Sequence, residues 1–197
     1  LRANYISDRV DLDKKQILDV ACGGGLLTEA LFKKGGIVSG IDISDVAIHT
    51  AKNHAESANI DVNYVLGEAE ELLPENKERF DVVTCLEAIE HVPDPNQLVK
   101  TCSNLCKKDG DIFFSTINRN PKSFLFAIVG AEYILNLLPK GTHEYEKFIK
   151  PSELTTMMEN NGLVVKELTG MSYNPLTKNY WLGKNVDVNY LIHAKKI

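Results

Sequence analysis

Ile17-Leu18-Asp19-Val20-Ala21-Cys22-Gly23-Gly24-Gly25-Leu26-Leu27 begins as a short apolar run holding one acid and passes through small residues into three glycines. A helical pattern follows through Leu31 and Phe32. This order predicts a buried strand, a tight glycine-rich turn and a helix N-terminus. Glycines let backbone approach a ligand closely, and a helix N-terminus presents unpaired N–H groups. The stretch therefore predicts a nucleotide-like cofactor at the C-terminal edge of a parallel sheet.

The flanking sequence extends that pattern. Leu1, Tyr5, Ile6 and Val10 have helical spacing and lead into the strand near Gln16–Val20. The helix from about Leu26 to Lys34 stops at Gly35-Gly36. Ile37–Ile41 is a second strand ending at Asp42, and Ser44 is placed to cap a helix running to about Ala58. Val62–Leu66 and Phe80–Cys85 are further strands. Pro93-Asp94-Pro95 opens a helix to about Cys106, with Lys108-Asp109-Gly110 turning into a strand at Asp111–Thr116. Strands and helices alternating at crossover length make a parallel α/β sheet. Beyond a helix starting at Pro151, Leu163–Met171 and Val188–Ala194 read as a final antiparallel pair.

The alternation breaks at Asn118. Ser123–Leu138 is apolar with one charge, Glu132, and is too short and interrupted for a membrane span. It reads either as a buried core helix or as a greasy lid over a lipid-like substrate. Nearby Lys140, Lys147 and Lys150 read as solvated side chains or as contacts for anionic headgroups.

At 197 residues the chain suits one domain, or one domain with an insertion. The net charge of -5 argues against nucleic acid as the main partner. Cys22, Cys85, Cys102 and Cys106 form no CxxC pair and read as buried thiols in a reducing cytosol. Cys102 and Cys106 have the spacing of helix neighbours. Leu1-Arg2-Ala3 looks like mid-helix sequence, as if the chain began inside a longer protein.

Two cofactors compete for the turn. A dinucleotide site wants G-x-G-x-x-G, and the later glycine is absent here. The pattern acid-x-small-x-Gly-x-Gly, Asp19 to Gly25, instead resembles motif I of the class I S-adenosylmethionine (SAM) methyltransferases. Ala21 stands at the leading glycine position, which is tolerable if that residue keeps a negative φ. Asp42 suits a ribose, because a carboxylate accepts from both hydroxyls. The resemblance further places adenine near Glu68 and Ala69 and the cofactor ammonium near backbone after Cys85.

Three segments narrow the likeness: Leu86–Pro95, Phe113–Asn120, and Val129–Ile134 with Pro139–His143 and Lys147–Pro151. With Asn174-Pro175 and Asp187–Tyr190, they resemble the ubiquinone-biosynthesis O-methyltransferases over essentially the whole chain. That resemblance implies a Rossmann-like class I fold: a seven-stranded, mostly parallel sheet with an antiparallel C-terminal strand and a helical lid inserted at about 119–150. It implies methylation of ring hydroxyls on polyprenyl catechols or demethylubiquinol. SAM contacts would fall on Arg2, through its guanidinium, on Ala21 and Leu86, through backbone, and on Asp42, with Asp19, Gly23, Gly25, Glu68 and Ala69 completing the site. A divalent metal, magnesium for instance, would sit on Glu87, Glu90 and His91. A membrane surface met through 123–138, a ubiquinone-biosynthesis complex, and a cytoplasmic location on the inner membrane are its further implications.

A phenol with a pKa of about 10 needs a base or a metal near neutrality. Offsets of three and four would put Glu87 beside Glu90 and His91 on a short helix. The three read as metal ligands, as a general base in His91, or as braces for the loop after the fourth strand. His143 reads as a second base or as a solvated loop histidine. His49 and His54 read as surface residues, and His193 as a strand residue. A non-catalytic SAM-binding subunit, or a methyltransferase for another small molecule, stands as the alternative reading.

Overall fold

β1 (Gln16–Val20) is buried on both faces, and this places it centrally. β2 (Ile37–Asp42), β4 (Phe80–Leu86) and β5 (Cys106–Ile117) add in parallel beside it, with β3 (Asn63–Leu66) outside β2. β8 (Asn189–Lys196) runs antiparallel to β5, β6 (Leu163–Asn174) antiparallel to β8, and β7 (Asn179–Gly183) antiparallel to β6. The order is β3-β2-β1-β4-β5-β8-β6-β7. This computed structural model describes residues 1–120, 145–174, 177 and 179–197. Ser123–Leu138, Lys140 and His143, and with them most of the expected lid, lie outside the described residues.

Strand periodicity sends neighbouring residues to opposite faces. Leu18, Val83, Ile112 and Phe114 pack under α5 (Pro95–Leu105) and α6 (Pro151–Asn160). Ile17, Val82 and Phe113 pack on the other face with α1 (Arg2–Ser7) and α2 (Leu26–Phe32). A third cluster joins Cys22 and Tyr64 to α3 (Asp45–Ser57). Ser44 Oγ caps α3 through Ala47 N, and Asp94 caps α5 through Gln97 N.

The sequence reading differs from the structure in strand number and strand bounds. The sheet has eight strands among the described residues, not seven. β7 escaped notice because its side chains are mostly exposed, so no buried alternation marks it. β5 starts at Cys106 rather than Asp111: Phe80 pairs with Cys106, Val82 pairs with Asp111, and Lys107–Gly110 bulges between them with Asp109 at φ +61°. Cys106 is therefore a strand residue, although it and the other three cysteines are buried and free as expected.

Candidate active site

The turn after β1 is built from left-handed residues: Ala21 at φ +56°, Gly23 at +54° and Gly25 at +81°. The negative φ required of Ala21 is thus not what the turn uses. The chain must reverse within a few residues, and Ala21 adopts the glycine-like conformation despite its Cβ. Gly25 has a second constraint, since a Cβ there would lie 2.2 Å from the Tyr64 hydroxyl oxygen. Only hydrogen fits where α2 starts against β3.

Asp42 holds this turn to the end of β2. Its Oδ2 accepts from Gly23 N at 2.8 Å and its Oδ1 from Ser44 N at 2.8 Å. Gly67 N donates to the Asp42 carbonyl at 3.0 Å, tying in the residue after β3. One residue, through its carboxylate and its backbone carbonyl, therefore ties three strand ends together.

Those ends enclose a cavity of about 530 Å³. Ala21, Asp42, Glu68 and Ala69 line it, as the sequence expected, and Glu87 and His91 border it as well. Ile43, Glu70 and Gln97 are wall residues that the sequence reading missed. Gln97 lies in the first turn of α5, and Glu70 is oriented by Thr101, which donates to its Oε1 at 3.0 Å. Only the Pro93-Asp94-Pro95 opening marks that helix start in the sequence.

Asp19 stands behind the cavity wall and does not line it. It is 2% exposed and accepts from Thr28 at 2.7 Å and from Thr84 at 2.7 Å, joining β1 to α2 and β4. Burial pushes its carboxyl up to about 6, against the two threonine hydrogen bonds. Leu86 packs with the second core cluster one residue before Glu87.

Glu87 is the most constrained residue of the site. It sits at φ +56° after β4. Its Oε1 accepts from Ser115 Oγ at 2.8 Å and pairs with Arg2 Nη2 at 2.9 Å, while Asn189 Nδ2 reaches Oε2 at 3.4 Å. Arg2, expected on the cofactor carboxylate, is thus seen on Glu87. Ser115 and Asn189 were not singled out from sequence, since nothing local marks a strand-end serine as a carboxylate partner.

Glu90 is 3% exposed and accepts from Thr116 Oγ1 at 2.8 Å. Burial, and then the Glu87 charge, pushes it up to about 7. The expected short helix over Glu87, Glu90 and His91 does not form. The 3₁₀ turn spans Ile89–His91, and the left-handed Glu87 precedes it. Among the described residues no three His, Cys, Asp or Glu side chains gather to hold a metal ion. With Glu87 on a guanidinium and Glu90 turned into the core, these side chains as arranged do not fit a divalent ion.

A family model described as a methyltransferase domain matches residues 18–114. The ubiquinone biosynthesis O-methyltransferase of Saccharophagus degradans is 55% identical, over 100% of this chain and 84% of that protein. The chain belongs to the ubiquinone-biosynthesis O-methyltransferase family. The Marinobacter nauticus member is 56% identical over 99% of this chain and 83% of its own length. Solved structures agree on the fold. A SAM-dependent methyltransferase from Methanosarcina mazei has a TM-score of 0.73 at 22% identity, covering 98% of this chain and 97% of that one. Magnesium protoporphyrin IX methyltransferase from Synechocystis, solved with SAH bound, has a TM-score of 0.72 at 16% identity, covering 100% and 80%. The fold is that of the class I methyltransferases.

Proposed function

We propose that this chain transfers the methyl group of SAM to a ring hydroxyl of a polyprenyl catechol or demethylubiquinol in ubiquinone biosynthesis. The observation that carries the reading is the cavity between Ala21, Asp42, Glu68 and Glu87, at the C-terminal ends of adjacent strands in a chain of this family. Bound SAM supplies a methyl carbon activated by its sulfonium. Asp42 accepts from the ribose hydroxyls, Glu68 and Ala69 flank the adenine, and the Ala21–Gly25 and Leu86 backbone takes the methionine end. Arg2 faces the carboxylate once Glu87 releases it.

His91 lies on the cavity wall and serves as the base. An imidazole of pKa about 6.5 takes the proton of a phenol of pKa about 10 as the oxygen becomes nucleophilic. His143 is a second base in this reading. Positioning of the hydroxyl on the methyl carbon supplies much of the rate. Residues 123–138 meet the membrane surface and shield the prenyl tail. No helix among the described residues is long and apolar enough to cross a membrane.

The test is labelled SAM with a short-chain prenyl catechol, scored for O-methylated product. Product expected with the native chain and reduced at least tenfold by His91→Ala supports the reading. No product from a chain that binds SAM sinks it. Flotation with anionic liposomes, lost when Phe124, Leu125 and Phe126 become serine, tests the membrane contact.

A further inference from the structure

Beside the cofactor cavity lies a second hollow of about 340 Å³. Its walls come from α1, α2, β6 and β7: Ala3, Leu26, Leu27, Ala30, Met171 and Tyr180. Arg2 lines this groove, Glu87 lines the cofactor cavity, and the two meet at 2.9 Å. The two spaces are therefore neighbours across one ion pair.

We propose that this groove is the subsite for the isoprenoid tail of the acceptor, with Glu87 on the cavity side and Arg2 on the groove side of the seam where the polar ring ends and the tail begins. The inference rests on the acceptor class given above. An acceptor of that class has two chemistries, a hydroxylated ring and a hydrocarbon chain. The ring must lie beside the cofactor, where Glu87 and His91 stand. The tail then needs an apolar surface continuous with that point. Apart from Arg2, every wall of the groove is apolar or aromatic, and tail burial there is favourable in proportion to the area covered.

The outer rim fits a chain longer than the groove. Leu26 is 78% exposed and Tyr180 57% exposed, and Tyr180 packs beside Tyr173 with ring centroids 4.4 Å apart and planes tilted by 32°. The β6–β7 hairpin carrying this pair continues past Asn189, at the cofactor end of the sheet. A tail leaving the groove would pass these rings rather than end against polar backbone.

The experiment compares kcat/KM for a catechol bearing three isoprene units with that for unsubstituted catechol. The native chain should prefer the tailed acceptor by roughly tenfold or more. Ala30→Trp, which fills the groove, should reduce that ratio at least fivefold, with SAM binding by calorimetry reporting a folded site. Tyr180→Ser, at the exposed rim, should lower it in the same direction and serves if Ala30→Trp does not fold. Transfer to both acceptors with the ratio unmoved by the folded variants, or a native ratio near one, overturns the groove assignment alone. Absence of transfer to either acceptor removes the acceptor class and the groove with it.

Discussion

Asp19→Asn is the substitution whose effect follows most directly from the structure. The carboxyl is buried, receives two threonine hydroxyls, and titrates near 6 instead of 3.8. The native state therefore binds a proton more tightly than the unfolded chain. Between pH 4 and 6 the native state holds the proton and the unfolded chain does not, so stability falls as pH rises. The group contributes most favourably below 3.8, and that contribution is lost as pH passes 6. A shift of this size corresponds to about 3 kcal/mol of destabilisation above pH 7. Asparagine has no charge to desolvate. Its oxygen accepts from one threonine, and its amide donates to the other. Thr84 allows this, since its hydroxyl already approaches the Leu18 carbonyl at 3.4 Å and can donate there. Urea unfolding from pH 4.5 to 8 should show Asp19→Asn gaining on the native chain with rising pH and levelling off above pH 7, about 1–3 kcal/mol more stable. SAM affinity should change by less than roughly threefold, because a side chain outside the cavity makes no direct contact to lose. A stability difference independent of pH, or one growing toward acid, would refute the reasoning.

Asp42→Ala removes a carboxylate that bonds two backbone N–H groups and faces the cavity. Charge-assisted bonds of about 1.5–3 kcal/mol imply a fall in SAM affinity of roughly tenfold to hundredfold by calorimetry. Gly25→Ala puts a Cβ 2.2 Å from the Tyr64 oxygen in a left-handed residue, so unfolding in urea should show a loss of more than about 2 kcal/mol. Ala21→Gly should leave stability equal or up to about 1 kcal/mol higher, as relief of left-handed strain offsets the entropy of glycine. Ala21→Val should cost at least about 1 kcal/mol in the same assay.

Where a residue's role is local, the sequence was readable. Ser44 caps the helix expected of it, a helix opens at Pro93-Asp94-Pro95, and the strand-end acid Asp42 reaches the cavity. Where a role depends on a partner far along the chain, it was not. Glu87 is held by Arg2, Ser115 and Asn189, from three other elements. No spacing in sequence encodes that meeting. The offsets at Glu87, Glu90 and His91 looked helical, but one left-handed residue broke the register. Asp19 was assigned to the cofactor by its place in a motif, while its threonine partners, nine and sixty-five residues away, make it a brace. β7 shows a third limit: an exposed edge strand owes its existence to the backbone ladder with β6, which leaves no hydrophobic pattern.

The two non-glycine residues held left-handed at this site, Ala21 and Glu87, follow neighbouring strands. Val20 and Cys85 are partners across β1 and β4, and the chain turns left-handed one residue after the first and two after the second. Both residues then line the same cavity. Each such conformation costs on the order of 1–2 kcal/mol, and the surroundings must hold it. At Ala21 the Asp42 carboxylate does so, by fixing Gly23 two residues on. At Glu87 the Ser115 carbonyl accepts from the backbone N–H at 2.9 Å, while the Ser115 hydroxyl and Arg2 fix the side chain. The reward for this strain is geometric. A strand that continued straight would carry its next side chain out over the sheet edge, into the cavity. Turning left-handed at once folds the chain back and leaves main chain at the floor of the cavity. That explains how alanine can occupy a position where glycine is usual in this motif: the site needs the backbone angle there, and the Asp42 anchor supplies what glycine would otherwise provide without strain.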